Sequence, residues 1–376
     1  MATNPIRRRM GSAGRPRGRI RAAAASLLIL PVLTGCADVI TTGAEPPSQG
    51  CEPDDIVLVE SGRGLQNEYY VAADAGARAF AKSKGMLDQY QWISSDGDSS
   101  KQLSQIKSIL ARSGPCTVLN VDANESAIVP SIVKEVEKSG AWVVTQWNKP
   151  DGTSPQASGE HWVAHMSVDG VPQGYGIAKA LFEEMGGQGN IVALQGVLDN
   201  PPAKERFAGL QKALKEYPDI SLLEDQTAGW DRTTAQNITQ TWLTAYGDDI
   251  NGVWSAGDDM SLGAREALLN AGRKDVSVTG VDGLQQAVKL VGTDGGGYAA
   301  TTRSTGALQG GYGLAIAYAA ATGEIDPSDL PDEKRQFYLK DLPVVTDKTA
   351  ADTPSALDTS DMDFSDIWAA NGKAMK

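Results

Sequence analysis

The chain has 376 residues, with 34 Lys and Arg against 47 Asp and Glu and a formal net charge of −13. That acidity excludes nucleic acid and anionic lipid as partners of the folded body, and leaves small neutral or cationic ligands open. Hydrophobic residues at 41% can fill ordinary cores, and the length predicts two domains.

Residues 1–35 read as an export signal. Seven arginines, from Arg7 to Arg21, stand without an acidic neighbour, and an apolar run from Ala22 to Leu33 ends in Leu33-Thr34-Gly35-Cys36. A positive flank, a short apolar run and small residues before a cleavage point form the layout of a secretory signal. The run is too short to span a bilayer, which needs roughly 20 residues. Its end resembles a bacterial lipobox, which implies acylation of Cys36 and a mature chain held by lipid on the outer face of the cell membrane. The plainer alternative is an ordinary signal peptide that happens to precede a cysteine. Residues 36–54, rich in Gly, Pro, Ser and Thr, read as a tether. Without the signal, 27 basic residues face 47 acidic ones, a net charge of −20.

Cys51 and Cys116 form an even pair in an oxidising compartment. Cys51 precedes the first predicted strand and Cys116 opens the third. In a parallel sheet of order 2-1-3 those strands are neighbours, which predicts a disulfide. Two free buried thiols are the alternative.

From residue 55, β-rich runs alternate with amphipathic ones. Strands are predicted near 56–60, 89–94, 117–121, 141–145, 161–166, 190–195, 220–226, 252–256, 276–281 and 297–302, with helical stretches between them and over 306–322. Several strands are continuous apolar runs, as expected when helices cover both sheet faces. The fold class is therefore α/β with doubly wound parallel sheets, and two half-size sheets fit the length better than one of ten strands. Past Ala350 the pattern weakens, and 351–376 reads as an acidic, partly disordered tail.

No catalytic residue emerges. His161 and His165 are the only histidines, and on a strand their rings stand roughly 13 Å apart, too far to share a metal. No Gly-x-Ser-x-Gly elbow or Gly-Lys-Ser/Thr phosphate loop occurs, and Gly295-Gly296-Gly297 precedes a strand instead of opening a helix. Asp258 and Asp259, at a strand-to-helix junction, read first as capping carboxylates. No cofactor or metal is expected.

Polar and aromatic residues do collect at the C-terminal ends of the predicted strands, where open α/β sheets bind ligands. They are Gln66-Asn67-Glu68-Tyr69-Tyr70, Gln146-Trp147-Asn148, Ala228-Gly229-Trp230-Asp231 and Val281-Asp282-Gly283. Flat rings pack on the C–H face of a sugar, while amides, carboxylates and guanidinium groups pair with its hydroxyls. Each aromatic taken alone is equally readable as a core side chain.

With these residues in place, the chain resembles the type I periplasmic binding proteins, in particular the ribose-, galactose- and xylose-binding group of ABC importers. The resemblance spans about residues 55–345. It is carried by Trp254-Ser-Ala-Gly-Asp-Asp-Met-Ser-Leu-Gly-Ala, Val276-Ser-Val-Thr-Gly-Val-Asp-Gly283, Lys204-Glu-Arg-Phe-Ala-Gly-Leu210 and Asn67-Glu-Tyr-Tyr70. It implies two hinged lobes, 55–165 with 305–330 and 166–304 with 331–350, closing on a monosaccharide or sugar alcohol. It implies a ligand set of Asn67, Tyr69, Tyr70, Arg206, Trp230 and Asp282. Where pentose binders often carry Asp-Arg after the fourth strand, this chain has Trp147-Asn148. An expected asparagine is Gly257, with Asp258 the next side chain available, and an expected glutamine is Ser304. These departures make a sugar receptor a safer reading than a ribose receptor. The implied partners are an ABC permease and its ATPase, with the protein a monomer. The same closed state could instead feed a chemosensory or kinase system.

Overall fold

Short runs rich in Val, Ile and Leu form strands here, and the amphipathic stretches between them form helices. The computed structural model describes residues 50–293 and 297–375. The predicted signal, Cys36 and most of the tether lie outside the described residues. In chain order the elements are β1 (Val57–Gly62), α1 (Glu68–Ser83), β2 (Tyr90–Ser94), α2 (Ser99–Ser113), β3 (Thr117–Asp122), α3 (Val129–Ser139), β4 (Trp142–Gln146) and β5 (Trp162–Ser167). There follow α4 (Gly170–Glu184), β6 (Gly189–Gln195), α5 (Pro201–Glu216), β7 (Ile220–Thr227), α6 (Arg232–Tyr246), β8 (Gly252–Ser255), α7 (Asp258–Asn270), β9 (Ser277–Thr279), α8 (Gln285–Leu290) and β10 (Tyr298–Thr302). The chain ends with α9 (Gly306–Ala321), α10 (Asp332–Arg335), β11 (Gln336–Leu339), β12 (Val344–Val345) and β13 (Asn371–Ala374).

The strands form two sheets, ordered β13-β11-β5-β4-β3-β1-β2 and β12-β10-β9-β8-β6-β7. Pairing is parallel throughout except at the two additions β13 and β12, which run antiparallel to β11 and β10. Central strands such as β3 and β10 are buried along their whole length, as helices on both sheet faces require. The fold is a two-lobe doubly wound α/β structure. Its chain crosses between the sheets after β5, after β10, between β11 and β12 and again between β12 and β13.

Helix α9 returns to the first lobe, where all but one of its sixteen residues are buried. Small residues make this possible. A Cβ on Gly310 would lie 2.0 Å from the carbonyl oxygen of Ala73, so α1 and α9 meet backbone to backbone. Cys51 and Cys116 are joined as a disulfide with Cα atoms 5.6 Å apart, at the point where β1 lies between β2 and β3.

Two expectations are corrected. Segment 331–350 does not belong wholly to the second lobe, because β11 pairs in parallel with β5 of the first sheet. The tail 351–376 is not loose through its described part. Phe364 packs edge-on against Phe80, with ring centroids 5.3 Å apart, Trp368 meets Phe337, and β13 pairs with β11 as an edge strand of the first sheet. A few aromatics and one strand offset the polar composition that suggested disorder.

Among the described residues no helix is long and apolar enough to cross a membrane, and no cluster of three His, Cys, Asp or Glu side chains is placed to hold a metal ion. His165 shares a 2.8 Å hydrogen bond between Nδ1 and Thr145 Oγ1 inside the first sheet, and the His161 ring lies against Trp142.

Candidate functional site

The strand ends of the two sheets face each other across a closed cleft. Hydrogen bonds cross it: Arg63 Nη1 donates to the Gly229 carbonyl at 3.3 Å, Ser126 Oγ to that of Asp199 at 3.2 Å and Asn200 Nδ2 to that of Asn124 at 3.4 Å, and Gln286 N–H reaches Glu68 Oε2 at 3.5 Å. Between the lobes lies a cavity of about 60 Å³. At roughly 10–15 Å³ per water centre that is room for about four to six water positions, enough for one molecule of monosaccharide size or smaller.

Local structure places the lining. Asn67 caps α1, its Oδ1 accepting the Tyr69 N–H at 2.9 Å, which sets Tyr69 and Tyr70 in the first helical turn. Tyr69 OH donates to Gln309 Oε1 at 2.6 Å and accepts from the Trp147 indole Nε1 at 2.6 Å. The deeply buried α9 thus fixes the plane of Trp147. Tyr70 OH donates to Asp122 at 3.0 Å. Asn148 Nδ2 donates to Asp122 Oδ1 at 3.1 Å and to the Ala123 carbonyl at 2.7 Å.

From the second lobe comes Arg206, on α5. Its backbone meets α4 at Gly174, where a Cβ would fall 1.9 Å from the Arg206 carbonyl oxygen. The guanidinium lies between two indoles, 5.1 Å from the Trp147 centroid and 5.7 Å from that of Trp230. Its Nη1 donates to the Ala256 carbonyl at 2.7 Å and stands 3.5 Å from Asp282 Oδ1, while Nε donates to Gln173 at 3.3 Å.

Trp147, Trp230 and Asp282 share another property. Their φ angles are 57°, 66° and 114°, the region that non-glycine residues rarely occupy, at a cost of about 1–3 kcal/mol each. The strain turns each side chain back over the strand ends and into the cleft. Such outliers gather at ligand clamps.

Burial pushes the Asp122 carboxyl up to about 7, against the pull of Tyr70, Arg63 and Asn148. It pushes Asp282 up to about 6, with Arg206 opposing. Burial also lowers the Arg206 pKa, with Asp282 opposing. Two carboxylates and two guanidiniums, Arg63 and Arg206, line the same small space. With both carboxylates ionised their charges cancel, which suits a neutral ligand that can both donate and accept hydrogen bonds.

Of the residues singled out in the sequence, Asn67, Tyr69, Tyr70, Trp147, Asn148, Arg206, Trp230 and Asp282 line this cavity. Asp258 and Ser304 do not. Asp258 is fully buried behind the wall, where it accepts from Tyr298 OH at 2.7 Å, Thr301 Oγ1 at 2.7 Å and the Leu284 N–H at 2.9 Å. It ties the start of α7 to β10, and burial followed by the charge of Asp282 pushes its pKa up to about 8. Ser304 sits at a lobe crossing, its Oγ accepting from Gly306 N–H at 3.3 Å. Arg63, Asp122, Asn200 and Pro202 also line the cavity and were not found from the sequence. Asp122 closes a buried strand that already carries the polar Thr117 and Asn120, and the run Asp199-Asn200-Pro201-Pro202 looks like a plain helix start; only the pairing of the two lobes gives either a ligand-facing position.

Residues 61–325 match the periplasmic binding protein domain. The chain belongs to this family. Over 249 residues it is 31% identical to the xylitol-binding protein of Mycolicibacterium smegmatis, covering 66% of this chain and 68% of that protein. It is 28% identical over 292 residues to the ribose import binding protein of Salmonella typhimurium, covering 78% and 93%. Among solved structures, a twin-arginine translocation pathway signal protein from Burkholderia phytofirmans superposes with a TM-score of 0.81 at 38% identity, covering 85% of this chain and 98% of that one. This periplasmic binding protein, like its relatives, is a binder and not an enzyme.

Proposed function

We propose that the chain is the extracytoplasmic capture component of an ABC importer, closing its lobes on one neutral monosaccharide or small sugar alcohol and presenting the closed state to a permease. The observation that carries this is the cavity itself, small, charge-balanced, walled by the indoles of Trp147 and Trp230 and buried between two lobes. The rings offer flat apolar faces for C–H groups, and Asp122, Asp282, Asn148 and Arg206 offer partners for hydroxyls. Ligand bridging both lobes favours closure by its differential affinity for that state. The xylitol- and ribose-binding relatives support the ligand class. Acylation of Cys36 would hold the receptor at the outer face of the membrane, supported by the Leu33-Thr34-Gly35-Cys36 sequence alone.

Titration calorimetry of the purified protein against erythritol, xylitol, D-ribose and D-allose tests the ligand class. The expected result is one-to-one binding, micromolar or tighter, for at least one of them. No heat from any of the four at millimolar concentration would refute it. For the anchor, the full-length chain should sediment with membranes in its bacterial host and the Cys36→Ser variant should not; equal partitioning of both rules out the lipid.

A further inference from the structure

Two side-chain oxygens in the cavity have no partner. Asn148 and Asn200 both line it, one from each lobe, with 4% and 1% of their surface exposed. The Oδ1 atom of each is buried and accepts no hydrogen bond from the protein. The orientation of both amides is dictated by chemistry. Asn148 Nδ2 faces the Ala123 carbonyl and the Asp122 carboxylate, and Asn200 Nδ2 faces the Asn124 carbonyl. A carbonyl oxygen can only accept, so each NH₂ must point that way and each amide oxygen must be the atom left over. Burying an acceptor without a donor is unfavourable, and such an atom calls for a partner.

We infer that Asn148 and Asn200 form a pair of hydroxyl-reading acceptors, one on each lobe, and that Asn200 is a specificity-determining residue of this receptor. This rests on the proposed function and sharpens it. The ligand must bring O–H donors to both lobes at once, so it is a polyhydroxylated neutral molecule, and a carboxylate in either place would be repelled. Asn200 also couples recognition to closure. Its amide nitrogen finds the Asn124 carbonyl only when the lobes meet, and in that state its oxygen has no partner in the protein and must take its donor from whatever fills the cavity. Closing on a deoxy ligand that displaces the cavity water but lacks the facing hydroxyl therefore strands this acceptor.

The test compares ligands as well as variants. Asn200 stands at the start of α5, but its side chain makes no capping hydrogen bond, so Asn200→Leu and Asn200→Ala should fold, as ligand-free melting curves would verify. Calorimetry would be run with the tightest binder among xylitol, erythritol, D-ribose and D-allose, and with each of its monodeoxy analogues. Wild type should prefer the parent over at least one analogue by tenfold or more, and both variants should bring that ratio close to one. A third variant, Asn200→Asp, keeps an acceptor but sets a carboxylate oxygen against the Asn124 carbonyl. It should weaken parent and analogues alike and leave their ratio unchanged. If Asn200→Leu and Asn200→Ala retain the wild-type ratio for every analogue, the inference is overturned while the receptor reading stands. If wild type binds none of the parent compounds, the receptor reading fails and takes the inference with it.

Discussion

Arg206 spends its charge mostly inside the protein, on a backbone carbonyl, a glutamine and Asp282, with an indole on either side. The acidic residues opposite are less fully neutralised, which gives the site a pH signature. Asp122, Asp258 and Asp282 have pKa values raised to about 7, 8 and 6, against about 3.9 in an unfolded chain. A raised carboxyl binds its proton more tightly folded than unfolded, so between about pH 4 and pH 8 the folded state holds more protons. The contribution of these groups to stability is therefore fully present below the unfolded value and is lost as pH rises through the folded ones. Ligand hydroxyls that donate to Asp122 and Asp282 favour their charged forms. The melting temperature of the ligand-free protein should fall from pH 5 to pH 8, and the increment added by a bound polyol should grow over the same interval. An increment that shrinks with pH would show that ligand does not pair with these carboxylates. Much of the site was legible in the sequence because aromatic and amide residues stood directly after predicted strands. Asp258 was misread for the same reason: it follows a strand as they do, but it turns inward to Tyr298 and Thr301, and position along the chain does not encode that turn.

At the scale of elements, alternation of apolar and amphipathic runs was enough to locate ten strands and the helices between them. What it missed were the short pieces, β11, β12 and β13, which have two to four residues each and no periodicity to measure. β11 and β12 owe their structure to edges already made by β5 and β10, and β13 to the edge made by β11. The last of them depends on docking of the segment before it. Phe364 meets both Phe80 and Tyr312 at 5.3 Å, and Tyr312 OH donates to the Asp363 carbonyl at 3.2 Å. Full burial of a phenylalanine is worth about 3–5 kcal/mol against alanine, and Phe364 is half-buried. Phe364→Ala should therefore lower unfolding stability by about 1–3 kcal/mol in a urea titration. Ligand affinity should stay near wild type, because the segment lies away from the cavity lining. A change below a few tenths would mean that the tail rests on the lobe without supporting it.

For the whole molecule, function reduces to the balance between open and closed lobes, and several ties across the cleft act on that balance without reaching the ligand. Near the hinge, Lys373 pairs with Asp169 and Tyr338 OH donates to Glu205 at 3.2 Å, linking the added strands of the first sheet to the helices of the second. At the mouth, Ser126 Oγ donates to the Asp199 carbonyl at 3.2 Å. Ser126 is buried and is not among the cavity-lining residues, so removing its hydroxyl leaves the direct contacts to ligand intact. A neutral hydrogen bond of this kind contributes about 0.5–1.5 kcal/mol, and it exists only in the closed state. Ser126→Ala should thus weaken ligand binding by about two- to tenfold. The loss should fall on the dissociation rate, since ligand first meets the open form, where this bond is absent. Stopped-flow tryptophan fluorescence would separate the two rates, because Trp147 and Trp230 both line the cavity. A variant that slowed association and left dissociation unchanged would place Ser126 in the encounter step instead of the latch.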